Sequence, residues 1–481
     1  MRLELRGPAP ARPAPGLINR KDASAWLDED AGMKPGLIAH ATRNVPRYTS
    51  YPTAPHFRDA IASSDYGALL AALPGDTRLS VYLHVPFCRE ICHYCGCHTK
   101  AARRPEPVAA YAALLRREIA LVASRLPERL PVVHIHWGGG TPSLLAAADF
   151  AATVRLLRER LAVDPHAEHA IELDPRTVGE ELVASLAAAG VNRASLGVQD
   201  FNETVQRAIG RIQPFATVAN VVARLRSVGI GAINLDLMYG LPHQTVADVA
   251  RTADLAASLS PGRIALFGYA HVPWMKTHQR LIDAAALPGA IARMEQSEAA
   301  AQQLEAAGYI RIGIDHFARR DDPLAIAAAT GSLRRNFQGY TTDPADALIG
   351  LGASAIGRLP RTYVQNAPDI GGWRRAIEGG RLPVVRGKHL CREDLARAEI
   401  IERIMCEFAV DADAIFRAHG LDPAGLAGSL AALDPLRRDG LLTIEGLRLH
   451  IPAPMRAFAR LVASAFDAYL NQGAARHSVA V

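Results

Sequence analysis

The stretch "HVPFCREICHYCGCHTK", residues 84–100, sets Cys88, Cys92, Cys95 and Cys97 within ten residues of a 481-residue chain that has six cysteines in all. A structural zinc site usually draws two CxxC pairs from knuckles about 15 to 20 residues apart, whereas these thiols run CxxxCxxCxC in a single loop. A redox pair at Cys92 and Cys95 leaves Cys88 unexplained and has no thioredoxin-like surroundings. Soft thiolates on one loop suit an iron-sulfur cluster. If Cys88, Cys92 and Cys95 hold three irons of a cubane, the fourth iron is either bound by Cys97 or left open to a ligand.

Outward from the loop, short β-rich runs alternate with helix-length segments. The runs lie at 79–86, 132–137, 169–173, 192–198, 232–240 and 263–271. Between them, stretches such as "VAAYAALLRREIALVASRL" and "FATVANVVARLRSVG" repeat apolar residues at three and four, the helical period. Strand then helix, six times over, predicts a parallel sheet with helical crossovers, either a partial barrel or a doubly wound sheet. A seventh strand is expected at 309–318. In both architectures chemistry gathers at the C-terminal edge of the strands. Cys88 follows the first strand, "GGGTPS" (138–143) the second, "ELDPR" the third and "QDF" (199–201) the fourth, while Asp236 lies late in the fifth. Five polar motifs in succession outline one pocket.

Composition sets the class. With 49% apolar and 21% charged residues the chain reads as globular, and no uninterrupted apolar run reaches the roughly 18 residues of a membrane span. The start lacks the apolar stretch of a secretory signal. Few, clustered cysteines fit a reducing compartment, so the cytosol is expected, with no membrane partner. The net charge is +6, and of 54 basic residues five are Lys, which leaves 49 Arg. Arginine favours carboxylate ligands, which it grips with two nitrogens. No dense basic stripe for nucleic acid occurs.

CxxxCxxC with an aromatic before the last Cys, followed by "GGGTP", resembles the radical S-adenosylmethionine (SAM) superfamily. "PRYTSYPTA" (46–54), "YCGC" (94–97), "HWGGGTPS", "GVQDF", "GRIQPF", "IGIDHFAR" (312–319) and "RNFQGYTT" (335–342) together resemble the oxygen-independent coproporphyrinogen III oxidases, over residues 45 to 475. The resemblance implies an α/β fold: a partial (β/α)6 TIM-like barrel with an N-terminal extension and a mainly helical C-terminal domain. The expected division is an irregular extension at 1–45, in which Met33 is a candidate start, a catalytic barrel at 46–370 and a helical, lid-like domain at 371–481. "PRYTSYPTA" is expected to form the wall opposite that lid.

The resemblance also assigns residues. Cys88, Cys92 and Cys95 match the 4Fe-4S ligands. Tyr82, Gly139, Gly140, Thr141, Glu172, Ala270 and Ile356 match contacts to SAM. Tyr94, Gly140, Thr141, Gln199, Arg211 and Asp236 match contacts to a second SAM, which is either a cosubstrate or a mark of the porphyrinogen pocket. Tyr94 stands where the family usually has Phe, and His98 where it has Asn. The implied reaction is oxidative decarboxylation of two propionates of coproporphyrinogen III to vinyl groups, giving protoporphyrinogen IX in haem biosynthesis. A low-potential donor such as flavodoxin or ferredoxin would supply electrons to a monomeric enzyme. Arg211 is the expected hand on a propionate, and Cys97 has either a role near the substrate or a purely packing one. The rivals are a haem chaperone and another porphyrin-directed radical SAM enzyme.

Overall fold

The computed structural model describes residues 35–470, together with the backbone of residues 27, 28, 32 and 33. Most of the expected irregular extension, including residues 1–26, and the last residues, 471–481, lie outside the described residues.

All six anticipated strands form: β1 Leu79–Val85, β2 Pro131–Gly139, β3 Ala162–Leu173, β4 Arg193–Gln199, β5 Ala232–Tyr239 and β6 Arg263–Gly268. Each pairs in parallel with the next in sequence order. Strict alternation explains how one strand serves two faces. In β5, Ile233, Leu235 and Leu237 are buried, while Asn234, Asp236 and Met238 are half-buried on the opposite face. The helices between the strands have the apolar stripes read from the sequence. One of them, Val246–Ser258, starts at a capping box in which Thr245 and Asp248 satisfy each other's backbone N–H.

Around this core the sheet grows to twelve strands. Residues 309–318 form a hairpin rather than one strand: β7 Ile310–Ile312 and β8 His316–Ala318, with β8 antiparallel to β6. Gly313, at φ +58, opens the turn, a conformation that ordinary residues seldom adopt. On the other edge β9 Ala347–Leu351 runs parallel to β1, followed by antiparallel β10 Ile356–Leu359, β11 Thr362–Asn366 and β12 Val384–His389. The sheet order is β7-β8-β6-β5-β4-β3-β2-β1-β9-β10-β11-β12.

Two expectations need correction. Residues after 371 do not begin the helical domain, because β12 completes the main sheet and Trp373 stacks on Tyr111 at 4.4 Å between ring centroids. Nor is the stretch before 45 irregular throughout. Pro35–Ala41 is helical, and Leu37, Ala41, Val45, Tyr48 and Tyr51 share one apolar cluster with Ile400, Ile404, Phe416 and Phe458 of the C-terminal module. "PRYTSYPTA" therefore packs on that module instead of facing it. The module comprises helices Arg392–Glu407, Ala412–Ala418 and Ala427–Arg438 with a small sheet of Ala409–Asp411, Arg448–His450 and Thr443–Glu445. After this sheet come a 3-10 turn, Ala453–Phe458, and a short α-helix, Ala459–Ser464. Residues 458–464 are buried without a break, so packing on all sides decides the local shape. No helix among the described residues is long and apolar enough to cross a membrane.

Candidate active site

The cysteine loop leaves β1 and is closed by a short parallel pair, Phe87–Cys88 with Lys100–Ala101. The glycine turn after β2 is fastened to its base. Gly140 N–H donates to Val85 O (2.8 Å) and Thr141 N–H to Phe87 O (2.7 Å). A Cβ at Gly140 would lie 2.6 Å from Phe87 O, so glycine is needed for two backbones to approach. Gly139, at φ +110, would set a Cβ 2.6 Å from the His84 ring. The glycines thus first admit the cysteine loop and His84.

Hydrogen-bond donors converge on the sulfurs. Thr141 Oγ1 donates to Cys88 Sγ at 3.3 Å, and Thr99 Oγ1 lies at the same distance. Cys92 Sγ accepts from Arg211 Nη1 (3.6 Å) and Arg176 Nη2 (3.7 Å), and Cys95 Sγ from Cys97 N–H (3.4 Å). The thiol of Cys97 also bonds to Cys95 and, ahead of burial and other neighbours, brings Cys95 down to about 6 while its own pKa rises. Cys97 is thus a partner of an expected ligand. Burial pushes Cys88 up, against the two hydroxyls. From beyond β6, Lys276 Nζ holds Cys97 O (2.8 Å), His278 Nε2 holds Cys95 O (2.7 Å) and Gln279 Nε2 holds Tyr94 O (2.9 Å). This clamp had no motif to announce it.

Among the described residues no three His, Cys, Asp or Glu side chains close on a point where one ion could sit. A cubane asks for something else: one thiolate per iron, each iron at its own corner. Cys88, Cys92 and Cys95, spread along one loop and each met by hydrogen bonds that favour a charged sulfur, fit that group.

Tyr82, Glu172 and Ile356 line one cavity of about 180 Å³, with His84, Phe337 and Gln338. Tyr82 OH hydrogen-bonds His84 Nδ1 (3.0 Å), and His84 Nε2 donates to His98 O (3.0 Å), linking β1 to the cysteine loop. Glu172 Oε1 accepts from His136 Nε2 (3.1 Å) and Oε2 from Gly139 N–H (3.2 Å). Burial opposes its charge, but His136 and Gly139 outweigh burial and hold the carboxyl below its usual range. Asp236 accepts from Ser195 Oγ (2.9 Å) and Asn234 Nδ2 (2.8 Å), and burial raises it to about 6. Gln199 is buried at φ +70, a strained conformation for a residue with a side chain. Tyr94 packs with Ile209 and Tyr269. Ala270 stands apart, lining a second cavity with Arg47, Arg293, Arg335 and Arg460.

Arg211 departs from its expected role. It is 6% exposed, and its Nη1 and Nη2 meet Asp174 Oδ2 and Oδ1, both at 3.2 Å, while Nη2 also donates to Gly197 O at 2.7 Å. Burial works against its charge, but its negative neighbours keep the pKa raised. Its two terminal nitrogens are thus engaged by Asp174, Cys92 and Gly197, while its buried Nε has no hydrogen-bond partner among the described residues. Asp174 and Arg176, which hold this fork and Cys92, lie in the same "ELDPR" stretch as Glu172, two and four residues after it.

Comparison with known proteins agrees with this geometry. A radical SAM superfamily profile matches residues 82–256, and a HemN C-terminal domain profile matches residues 390–458. The chain is 50% identical to the oxygen-independent coproporphyrinogen III oxidase of Bradyrhizobium diazoefficiens over 92% of its length and 99% of the relative's. It is 42% identical to that of Paracoccus denitrificans, over 91% of this chain and 96% of the relative. The solved coproporphyrinogen III oxidase of Escherichia coli, described as a radical SAM enzyme, superposes with a TM-score of 0.84 at 35% identity, covering 89% of this chain and all of the other. The chain belongs to the oxygen-independent coproporphyrinogen III oxidase family of radical SAM enzymes.

Proposed function

We propose that the protein carries out the oxygen-independent oxidative decarboxylation of coproporphyrinogen III to protoporphyrinogen IX in haem biosynthesis. The observation that supports it most is the cysteine loop itself: three thiols on one loop, each met by hydrogen-bond donors, beside a cavity lined by Tyr82, Glu172 and Ile356. When bound, a 4Fe-4S cluster on Cys88, Cys92 and Cys95 with SAM supplies the hydrogen-abstracting radical chemistry of the superfamily. Each round turns a –CH2–CH2–COO⁻ group into a vinyl group with loss of one hydrogen atom, one carbon dioxide and one electron.

The chain's own residues bind and orient. Glu172, ionised and held by His136 and Gly139, presents its remaining lone pairs to the cavity as acceptors for an amino or hydroxyl group of SAM. Tyr82, Gly139, Ala270 and Ile356 would frame that molecule. Tyr94, Gly140, Thr141, Gln199 and Asp236 would frame the second SAM or the substrate edge, with Arg211 fixing the wall behind them. A low-potential donor such as flavodoxin or ferredoxin, a monomeric state and a cytosolic location complete the reading.

The test is anaerobic turnover of reconstituted protein with SAM, reductant and coproporphyrinogen III. Protoporphyrinogen IX, lighter by two carbon dioxides and two hydrogen molecules, is expected. Methylated or ring-opened product, or tight haem binding without consumption of SAM, would replace this function with one of the rivals.

A further inference from the structure

The second cavity, at the C-terminal end of β6, brings arginines together from four distant parts of the chain. Arg47 comes from the N-terminal segment, Arg293 from the helix Ala290–Ala306, Arg335 from the short strand Arg334–Asn336 and Arg460 from the last helix. The space is about 70 Å³, enough for several waters or the carboxylate end of a side chain but not for a tetrapyrrole ring. The lining has one carboxylate, Asp315, whose Oδ1 is held by His316 Nδ1 at 2.7 Å.

Several of these guanidiniums have nitrogens with no protein partner. Arg335, with 4% of its side chain exposed, lies over the Tyr340 ring at 4.3 Å and reaches Asp315 at 3.8 Å and Arg47 O at 3.4 Å through Nη2, while its Nε and Nη1 have no hydrogen bond. The side chain of Arg293 lies over the Tyr239 ring at 5.5 Å and makes no hydrogen bond or ion pair with the described residues. Arg47 stays exposed to solvent while protein surrounds it, as a side chain lining a cleft does, and donates to Gly268 O at 3.1 Å. Burial together with Arg47 and Arg335 brings Arg460 down to about 10. Arg293, with no pairing carboxylate among the described residues, and Arg335, with only the long contact to Asp315, are positive charges that an anion in the cavity would complete.

We infer that Arg47, Arg293 and Arg335 form a carboxylate subsite that grips one acidic side chain of the tetrapyrrole substrate. The inference rests on the function proposed above and names the residues that hold the substrate of that reaction. A guanidinium fork matches a carboxylate in charge and in geometry. The site adjoins Ala270, expected beside the adenosine of SAM, so a propionate anchored here keeps the macrocycle over the reacting centre.

The test is a fluorescence titration of the full-length protein with coproporphyrin III, the stable oxidised tetra-acid, and with its tetramethyl ester. Arg293→Gln and Arg47→Gln should each weaken tetra-acid binding at least tenfold and leave ester binding as in the parent. Arg293→Lys, which keeps the charge and loses the fork, should fall between. The ligand-free Arg293→Gln variant should melt no lower than the parent, since it removes a like charge and breaks no hydrogen bond or ion pair with the described residues, whereas Arg47→Gln also gives up the bond to Gly268 O and is judged by tetra-acid against ester binding. Unchanged tetra-acid affinity would overturn the inference. So would weaker binding by Arg293→Gln accompanied by a melting temperature several degrees lower, which would make that arginine structural, or an equal loss of tetra-acid and ester binding in either variant. If the parent neither binds coproporphyrin III nor converts coproporphyrinogen III, the proposed function itself fails. If the parent does both and the variants bind as it does, only the subsite fails.

Discussion

Replacing Arg211 with lysine separates two roles for this residue. Its guanidinium makes four hydrogen bonds from two nitrogens: Nη1 to Cys92 Sγ and Asp174 Oδ2, and Nη2 to Asp174 Oδ1 and Gly197 O. A lysine ammonium is a single atom at the end of a flexible stem and can keep about two of them. Asp174 retains Arg176, whose Nε and Nη2 lie 3.0 and 2.6 Å from its oxygens, so no carboxylate is left bare. Two lost bonds to charged groups, at the low end of about 1.5 kcal/mol each, give a destabilisation of about 3 kcal/mol. Urea unfolding should show that loss as an earlier midpoint, and reconstituted protein should hold less iron because Cys92 has lost a donor. Coproporphyrin III affinity should stay within a few fold of the parent. Porphyrin affinity reduced tenfold or more, with midpoint and iron content intact, would refute the reasoning and return Arg211 to the substrate.

Glu172→Gln should leave iron content unchanged and weaken SAM binding by about 1 to 3 kcal/mol, read from the SAM-induced change in the reduced cluster's electron paramagnetic resonance signal. Gly139→Val should lower both SAM response and iron content, because its Cβ would meet the His84 ring and His84 Nε2 holds His98 O on the cysteine loop. Glu118→Gln should destabilise the chain by about 2 to 4 kcal/mol in urea unfolding, since an amide nitrogen would face one of the three donors, Gly352 N, Asn366 Nδ2 or Trp373 Nε1, that now converge on the carboxyl. His134 is buried; that burial is outweighed by its hydrogen bond to Asp343 and its ion pair with Glu168, and its pKa is raised to about 9. The stability it adds is complete below its unfolded value near 6.5, declines above that and is gone once pH passes 9, up to about 3 kcal/mol in all. His134→Gln should flatten that part of the unfolding free energy between pH 7 and 10.

What could be read from the sequence follows the range of the forces involved. The six parallel strands are written in local alternation and in helix-period stretches between them, and β5 buries Ile233, Leu235 and Leu237 as its pattern requires. The cysteine loop and the glycine turn are short motifs whose neighbours lie within one βαβ unit. β9 gave no such cue, because its place beside β1 depends on a return of the chain across more than 250 residues, with Ala347 opposite Leu79. The hairpin at 309–318 looks like one strand in the sequence because its residues carry β character on both sides of Gly313, and only the left-handed turn divides them. The partners of Arg211 are hidden for a related reason. Its sequence neighbours do not show that Asp174 occupies its fork.

The arginine cavity shows the same principle from the side of function. No local pattern could assemble Arg47, Arg293, Arg335 and Arg460, because the packing that brings them together joins residues 45–51 to residues 460–468, more than 400 positions later. Tyr48 OH donates to Asp467 Oδ2 (3.0 Å), Tyr51 OH accepts from Ala468 N–H (3.1 Å), and Arg460 Nη2 donates to Val45 O (2.7 Å). Those contacts fix residues 45–51 against the C-terminal module, and Arg47 then spans to Gly268 O at the end of β6. The module is therefore coupled to the catalytic sheet through a segment that precedes the sheet in sequence. A lid hinged freely near residue 371 would break these bonds each time it opened, whereas a module anchored by the N-terminal segment keeps Arg47 and Arg460 in register with β6. Chemistry on a propionate needs that register, since hydrogen abstraction requires the reacting carbon to be held close and in one orientation.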